Sequence, residues 1–205
     1  MSAARPLSRE RILKAAFAIA DKRGLEAVTM RSVAARLNVE AMSLYHHVPS
    51  KKAMVNGLVD LLIQVAELPT GDVTAEEWIR GTSDSLRSLA REHPRLVTLL
   101  STRTVPLDDP ESARPFEAGL AAFVKEGRDV AQAFAAVQSV ALALLSMTSL
   151  ESSAALAPEV EMDGTSIAAL SAEEFPLLLQ VPSIGTTLDD FWRTLTDGLV
   201  RGLTT

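Results

Sequence analysis

Residues 29–52 read TMRSVAARLNVEAMSLYHHVPSKK. Thr29 is placed to cap a short helix, MRSVAARL, in which Val33, Ala34 and Leu37 share one face. Asn38 follows, a residue that tolerates the left-handed backbone of a tight turn. The next short helix is expected over residues 41–47, with Leu44 as its inward anchor. Pro49 ends it, and Ser50 caps another helix that opens with Lys51 and Lys52. Upstream, Ser8 caps a first helix carrying Ile12, Ala16, Ile19 and Ala20 at helical spacing, and Gly24 stops it. A short helix, a tight turn and a second short helix are the parts of a helix-turn-helix, here at about residues 29–48.

The side chains on the second of those helices give the motif its chemistry. The chain has one tyrosine and three histidines, and Tyr45, His46 and His47 are consecutive. With Leu44 turned inward, its neighbours turn outward. Tyr45 and His47 are suited to donate hydrogen bonds to phosphate oxygens, which fix a helix in register on a duplex. Ala41 and Met42 suit a thymine methyl, and Ser43 or His46 a base acceptor. Lys51 adds charge at a helix start, itself an anion-attracting position. Arg31 has the fork that guanine accepts. A metal site is the weaker reading, because adjacent helical histidines diverge by about 100° and no cysteine or acidic pair completes a shell.

Charge distribution agrees with a nucleic-acid face. The net charge is −6. Residues 1–57 nevertheless hold ten Lys or Arg against four acids, a balance of +6, while the remainder holds ten against twenty-two, a balance of −12. One end is built to meet a polyanion and the other to stay soluble. Hydrophobic residues make up 47% of the chain and aromatics only 4%, so the core must be Ala, Leu and Val, which favours helices over strands. Cysteine is absent, which excludes disulfides, thiolate zinc sites and cysteine nucleophiles. The N-terminus, MSAARPLSRER, lacks the apolar stretch of a signal peptide, and a cytoplasmic protein is expected.

The expected fold is all-α, with residues 1–57 as a three-helix DNA-binding domain and residues 58–205 as a helical bundle. The boundary falls within the fourth helix, at roughly residues 51–67, which Pro69 and Gly71 terminate. Thr74-Ala-Glu-Glu77 is a capping-box pattern opening a helix to about His93, and Pro94 starts the next. VPLDDPESARP reads as a loop, then Phe116, Leu120, Phe123 and Val124 recur at helical spacing up to Gly127. Between Asp129 and Glu151 no residue is charged, yet Gln132, Gln138, Ser139, Ser146, Thr148 and Ser149 would be costly in lipid, so a helix buried within protein is expected rather than a membrane span. A flexible run around Pro158 to Gly164 follows. Ser171-Ala-Glu-Glu174 is a second capping-box pattern, and Thr187-Leu-Asp-Asp190 opens a final helix with Leu188, Phe191, Trp192, Leu195, Leu199 and Leu203 on one stripe.

The stretch LSRERILKAAFAIADKRGLEAVTMRSVAARLNVEAMSLYHHVPSKKAMVNGL resembles the N-terminal domain of the TetR family of bacterial transcriptional regulators. The likeness rests on the first-helix pattern, the LYHHV run and the lysine opening the fourth helix. It implies DNA contacts from Thr29, Arg31, Ala41, Met42, Ser43, Tyr45, His46, His47 and Lys51. The chain departs from the family pattern at the turn glycine (Asn38), at the aromatic after the tyrosine (His46) and at the start of the recognition helix (Ala41), so no relative's base preference carries over. The resemblance further implies a homodimer paired through its last long helices, and a repressor that a small-molecule effector releases from a palindromic operator.

Beyond about residue 67 the likeness is architectural only. Candidate ligand-binding residues there are His93, Phe116, Leu120, Phe123, Gln138 and Met147. Each has a plainer reading: His93 as a helix-end group, Phe116, Leu120, Phe123 and Met147 as core, Gln138 as a bond across a dimer. Gly57 is expected to let the fourth helix approach the first. No nucleotide-binding loop, catalytic elbow or metalloprotease motif is present, so no cofactor is expected and catalysis is not. The alternative to a DNA-binding regulator is a helical small-molecule-binding or protein-interaction module without operator binding.

Overall fold

The computed structural model describes residues 6–102, 109–156, 170–183 and 187–204. Among these the fold is all-α, without strands. The head comprises α1 (Arg9–Arg23), α2 (Met30–Leu37) and α3 (Ala41–Tyr45), and α4 (Lys51–Val65) joins it to a body of α5 (Ala75–Glu92), α6 (Pro94–Thr102), α7 (Pro110–Lys125), α8 (Val130–Leu156) and α9 (Leu188–Leu203).

The local signals act where they were read. Ser8, Thr29, Ser50, Thr74 and Thr187 each accept a backbone N–H at the start of α1, α2, α4, α5 and α9. Such caps satisfy amides that the helix itself leaves free. Asn38 adopts φ 55°, the left-handed turn between α2 and α3. Ile12, Ala16, Val33, Leu44 and Val48 are fully or almost fully buried together, so the head has its own apolar centre. At Gly57 a methyl group would lie 2.6 Å from Leu13, so the bare backbone is what lets α4 lie against α1.

In the body, α8 packs on α5, α6 and α7, and α9 packs on α5 and α8. A buried charge ties three of these together. The Glu151 carboxylate of α8 accepts from Arg91 Nε of α5 at 2.6 Å and from Trp192 Nε1 of α9 at 2.7 Å. Ser83 and Thr196 share a hydrogen bond of 2.7 Å across the same α5–α9 contact.

Four expectations are corrected. The recognition helix stops at Tyr45, and His46 and His47 form a turn. Part of the expected loop VPLDDPESARP is helix: Asp109 caps α7, Pro110 occupies its first turn, and Pro115 lies inside it. Proline at the first turn removes no hydrogen bond the helix would have made, which is why α7 starts there. The pattern at Ser171 opens only turns and a 3-10 segment, Leu178–Ser183. Its Ser171 side chain accepts from Glu173 N, and no buried apolar stripe follows to hold a helix, since Phe175, Leu177 and Leu178 are exposed. Finally, α8 is only half covered by its own chain: Val130, Phe134, Leu142 and Leu150 are exposed. It is long and apolar enough to cross a membrane, yet its other face packs into the body. The run from Pro158 to Gly164 lies outside the described residues.

Candidate nucleic-acid interface and internal cavity

The head exposes most of the residues that the sequence singled out. Leu44 is wholly buried, and this forces Met42 (71% exposed), Tyr45 (44%), His46 and His47 to the outside of α3 and its following turn. Ala41 and Ser43 are partly covered at its start. Arg31 is exposed on the first turn of α2, beside Thr29, whose hydroxyl accepts from Ser32 N at 3.0 Å. Lys51 is exposed on the first turn of α4, where Ser50 caps the helix. Of the nine residues that the sequence singled out, seven lie at helix starts or on α3 and two, His46 and His47, in the turn that follows α3, all within the basic part of the chain. Among the described residues no group of His, Asp and Glu is arranged to hold a metal.

The body contains a small, partly open apolar cavity of about 60 Å³. Ile63 of α4, Trp78, Thr82 and Leu86 of α5, Leu100 of α6, Pro115 and Phe116 of α7, and Ala141 and Leu145 of α8 line it, with Leu68. Trp78 fixes the wall between α5 and α7. Its indole N–H donates to the Pro115 carbonyl at 2.8 Å, its ring meets Phe123 edge-on at 6.3 Å, and it lies over Gly119.

Of the six residues proposed for ligand binding, the structure brings only Phe116 to this cavity. Phe123 is wholly buried behind Trp78, and Leu120 and Met147 pack against the core. Gln138 is exposed on α8, contrary to the buried setting expected of it, because it shares the uncovered face with Phe134 and Leu142. His93 sits where head meets body: its Nδ1 lies 2.9 Å from Asp21 Oδ1, and its ring meets Phe17 edge-on at 5.0 Å. It is held by α1 rather than by the cavity. The sequence reading missed Trp78, Thr82 and Leu86. Their signal was present, since the three fall on one stripe of α5 and Thr82 is a polar group in an apolar row.

Comparison with known proteins adds a pattern at the sequence level and a likeness at the fold level. The family described as bacterial regulatory proteins, tetR family, matches residues 12–58. An HTH-type transcriptional repressor of Streptomyces coeruleorubidus, DrrR1, is 34% identical over 101 residues, 48% of this chain and 37% of that protein. An HTH-type transcriptional regulator of Saccharopolyspora erythraea is 30% identical over 148 residues, 71% of this chain and 61% of the relative. The chain thus spans less than two thirds of either relative's length. Among solved structures, apo ActR from Streptomyces coelicolor superposes with a TM-score of 0.83 at 22% identity, over 98% of this chain and 97% of ActR. ActR has also been solved in complex with actinorhodin, with a TM-score of 0.81 over 97% of each chain. BioQ bound to its double-stranded DNA operator superposes with a TM-score of 0.68 at 22% identity, over 98% of this chain and 99% of BioQ.

Proposed function

We propose that this chain, whose residues 12–58 match the tetR family of bacterial regulatory proteins, is a cytoplasmic, homodimeric repressor of that family that binds a palindromic DNA operator and leaves it when a small molecule enters the body. Residues 1–57 form the DNA-binding domain and residues 58–205 the effector-binding and dimerising domain. The observation that carries this reading is the exposed face of α3, framed by Arg31 and Lys51 on a head whose charge is +6. Tyr45, His47, Thr29 and Lys51 position the helix on phosphates, and Arg31, Ala41, Met42, Ser43 and His46 meet base edges. That BioQ was solved on its operator and ActR with actinorhodin supports both halves of the proposal.

Dimerisation is supported by what the single chain leaves bare. On α8 the apolar positions Val130, Phe134, Leu142 and Leu150 are exposed. On α9, Phe191 is exposed and Gly198 and Gly202 leave open space beside the backbone. A second copy laid across both helices would cover them in a four-helix arrangement. Two heads then address half-sites about 34–36 Å apart, or a multiple of it.

Release follows from α4. Its first residue, Lys51, lies on the DNA face, and Ile63, about 18 Å further along the same helix, lines the cavity. A guest that shifts Ile63 and Leu100 moves α4 and α6, and both pack against elements that hold the head. Its effect on DNA affinity is limited to its preference between the two head spacings. The test is electrophoretic retardation of a palindrome from the adjacent promoter over a range of salt. Binding that falls steeply with salt is expected; absent or salt-insensitive binding overturns the reading.

A further inference from the structure

Within the cavity nearly every lining group is carbon, and the two polar side chains among them differ in state. The Trp78 indole N–H is already spent on the Pro115 carbonyl. The Thr82 hydroxyl is buried, its residue 5% exposed, and it has no hydrogen-bond partner. A buried hydroxyl in a helix ordinarily bonds back to the preceding turn, as Thr148 does to Leu144 at 2.7 Å in this same protein. Leaving such a group unmatched is unfavourable, and a guest that supplies the partner recovers that loss.

We infer that the effector is an uncharged, largely apolar ring compound bearing one hydrogen-bonding oxygen, and that Thr82 is the residue that reads that oxygen. This rests on the effector reading above and specifies it. Charge is excluded by the walls: Ile63, Leu86, Leu100 and Leu145 offer nothing to pair an ion, and burying one unpaired is prohibitive. Flatness is favoured by the Trp78 and Phe116 rings, which offer faces and edges for stacking. Selectivity within that class falls to the single hydroxyl, because an analogue of the same shape without the oxygen leaves Thr82 unmatched.

The test uses the full-length protein and three probes of nearly one shape in equilibrium dialysis: 2-acetylnaphthalene, 2-isopropenylnaphthalene and 2-naphthoate. The ketone is expected to bind about tenfold tighter than the hydrocarbon, and the carboxylate weakest of all. Thr82→Val should bring ketone and hydrocarbon to about equal affinity, whereas Thr82→Ser should keep the preference; Thr82→Ala serves if the valine variant does not fold. Because the native hydroxyl has no partner, Thr82→Val should melt no lower than the wild type. The inference is overturned if the carboxylate binds as well as the ketone, if the preference survives Thr82→Val, or if no probe binds. Retardation of the operator by the same preparations, without probe, keeps the two readings apart. A ketone preference in a protein that binds no duplex removes the repressor reading alone, and DNA binding without probe binding removes this one alone.

Discussion

Two helices of this molecule turn an uncovered face outward, and the faces differ in kind. Around α3 the exposed groups are Met42, Tyr45, His46 and His47, with Arg31 and Lys51 on either side. Along α8 they are Val130, Phe134, Leu142 and Leu150, separated by Gln138 and Ser146. The first face is wet, cationic and hydrogen-bonding, so its partner must be anionic and its affinity must fall with salt. The second gains by leaving water and is indifferent to salt. If the two faces bind as proposed, only the first association weakens with ionic strength, so salt would take the protein off DNA without taking it apart.

The largest expected effect comes from removing that difference. Leu142→Arg places a charge in the apolar stripe of α8, and we expect a monomer by light scattering and operator affinity lower by more than about a hundredfold, because two heads on one dimer gain by avidity. At the other face, Arg31→Ala should cost about 1–3 kcal/mol per half-site and relax preference at one base pair in each half-site, read from a panel of operator variants. Lys51→Ala should weaken all sequences alike and, with one Lys51 in each head of the dimer, flatten the dependence of log affinity on log salt by about 2, with the dimer unchanged. The joint between the regions is His93. His93→Ala removes its hydrogen bond to Asp21 and its contact with Phe17, and should lower unfolding stability in urea by about 1 kcal/mol.

The smallest effect is an acid sensitivity in the body. The Thr74 amide holds the Glu77 carboxyl below its usual range, the Thr187 amide does the same for Asp190, and the Arg87 guanidinium does so for Asp189. A carboxyl depressed by folding stabilises the fold above its ordinary value near 4, and that stabilisation is lost as pH falls through the depressed value. Thermal melts should therefore be flat above about pH 5 and decline below about pH 4, with the starts of α5 and α9 loosening first in hydrogen exchange.

The head was legible in the sequence because its determinants are local. Caps at Ser8, Thr29 and Ser50, the turn at Asn38 and the anchor at Leu44 act over a few residues, and the direction of Leu44 decides the direction of Tyr45 and His47. The cavity was not legible in the same way. It needs α4, α5, α6, α7 and α8 to surround one space, and a stripe such as Phe116, Leu120 and Phe123 does not say which member faces the gap and which is buried behind it. His93 does stand at the end of α5, as its plainer reading has it, but its partner Asp21, 72 residues away, could not be read from the sequence. Gln138 was read as buried because residues 130–150 carry no charge, whereas in the single chain it lies on an exposed face with Phe134 and Leu142.

If the hollow takes a guest as proposed, a residue outside its lining, Gly119, limits how large that guest may be. A methyl group on Gly119 would lie 2.5 Å from the Trp78 ring, which stands between α7 and the hollow. Adding that methyl would press the indole inward and shrink the chamber while each side chain facing it kept its identity. Relatives could thus diverge in what they sense through a change hidden one layer back, where a comparison of lining residues alone would find nothing altered.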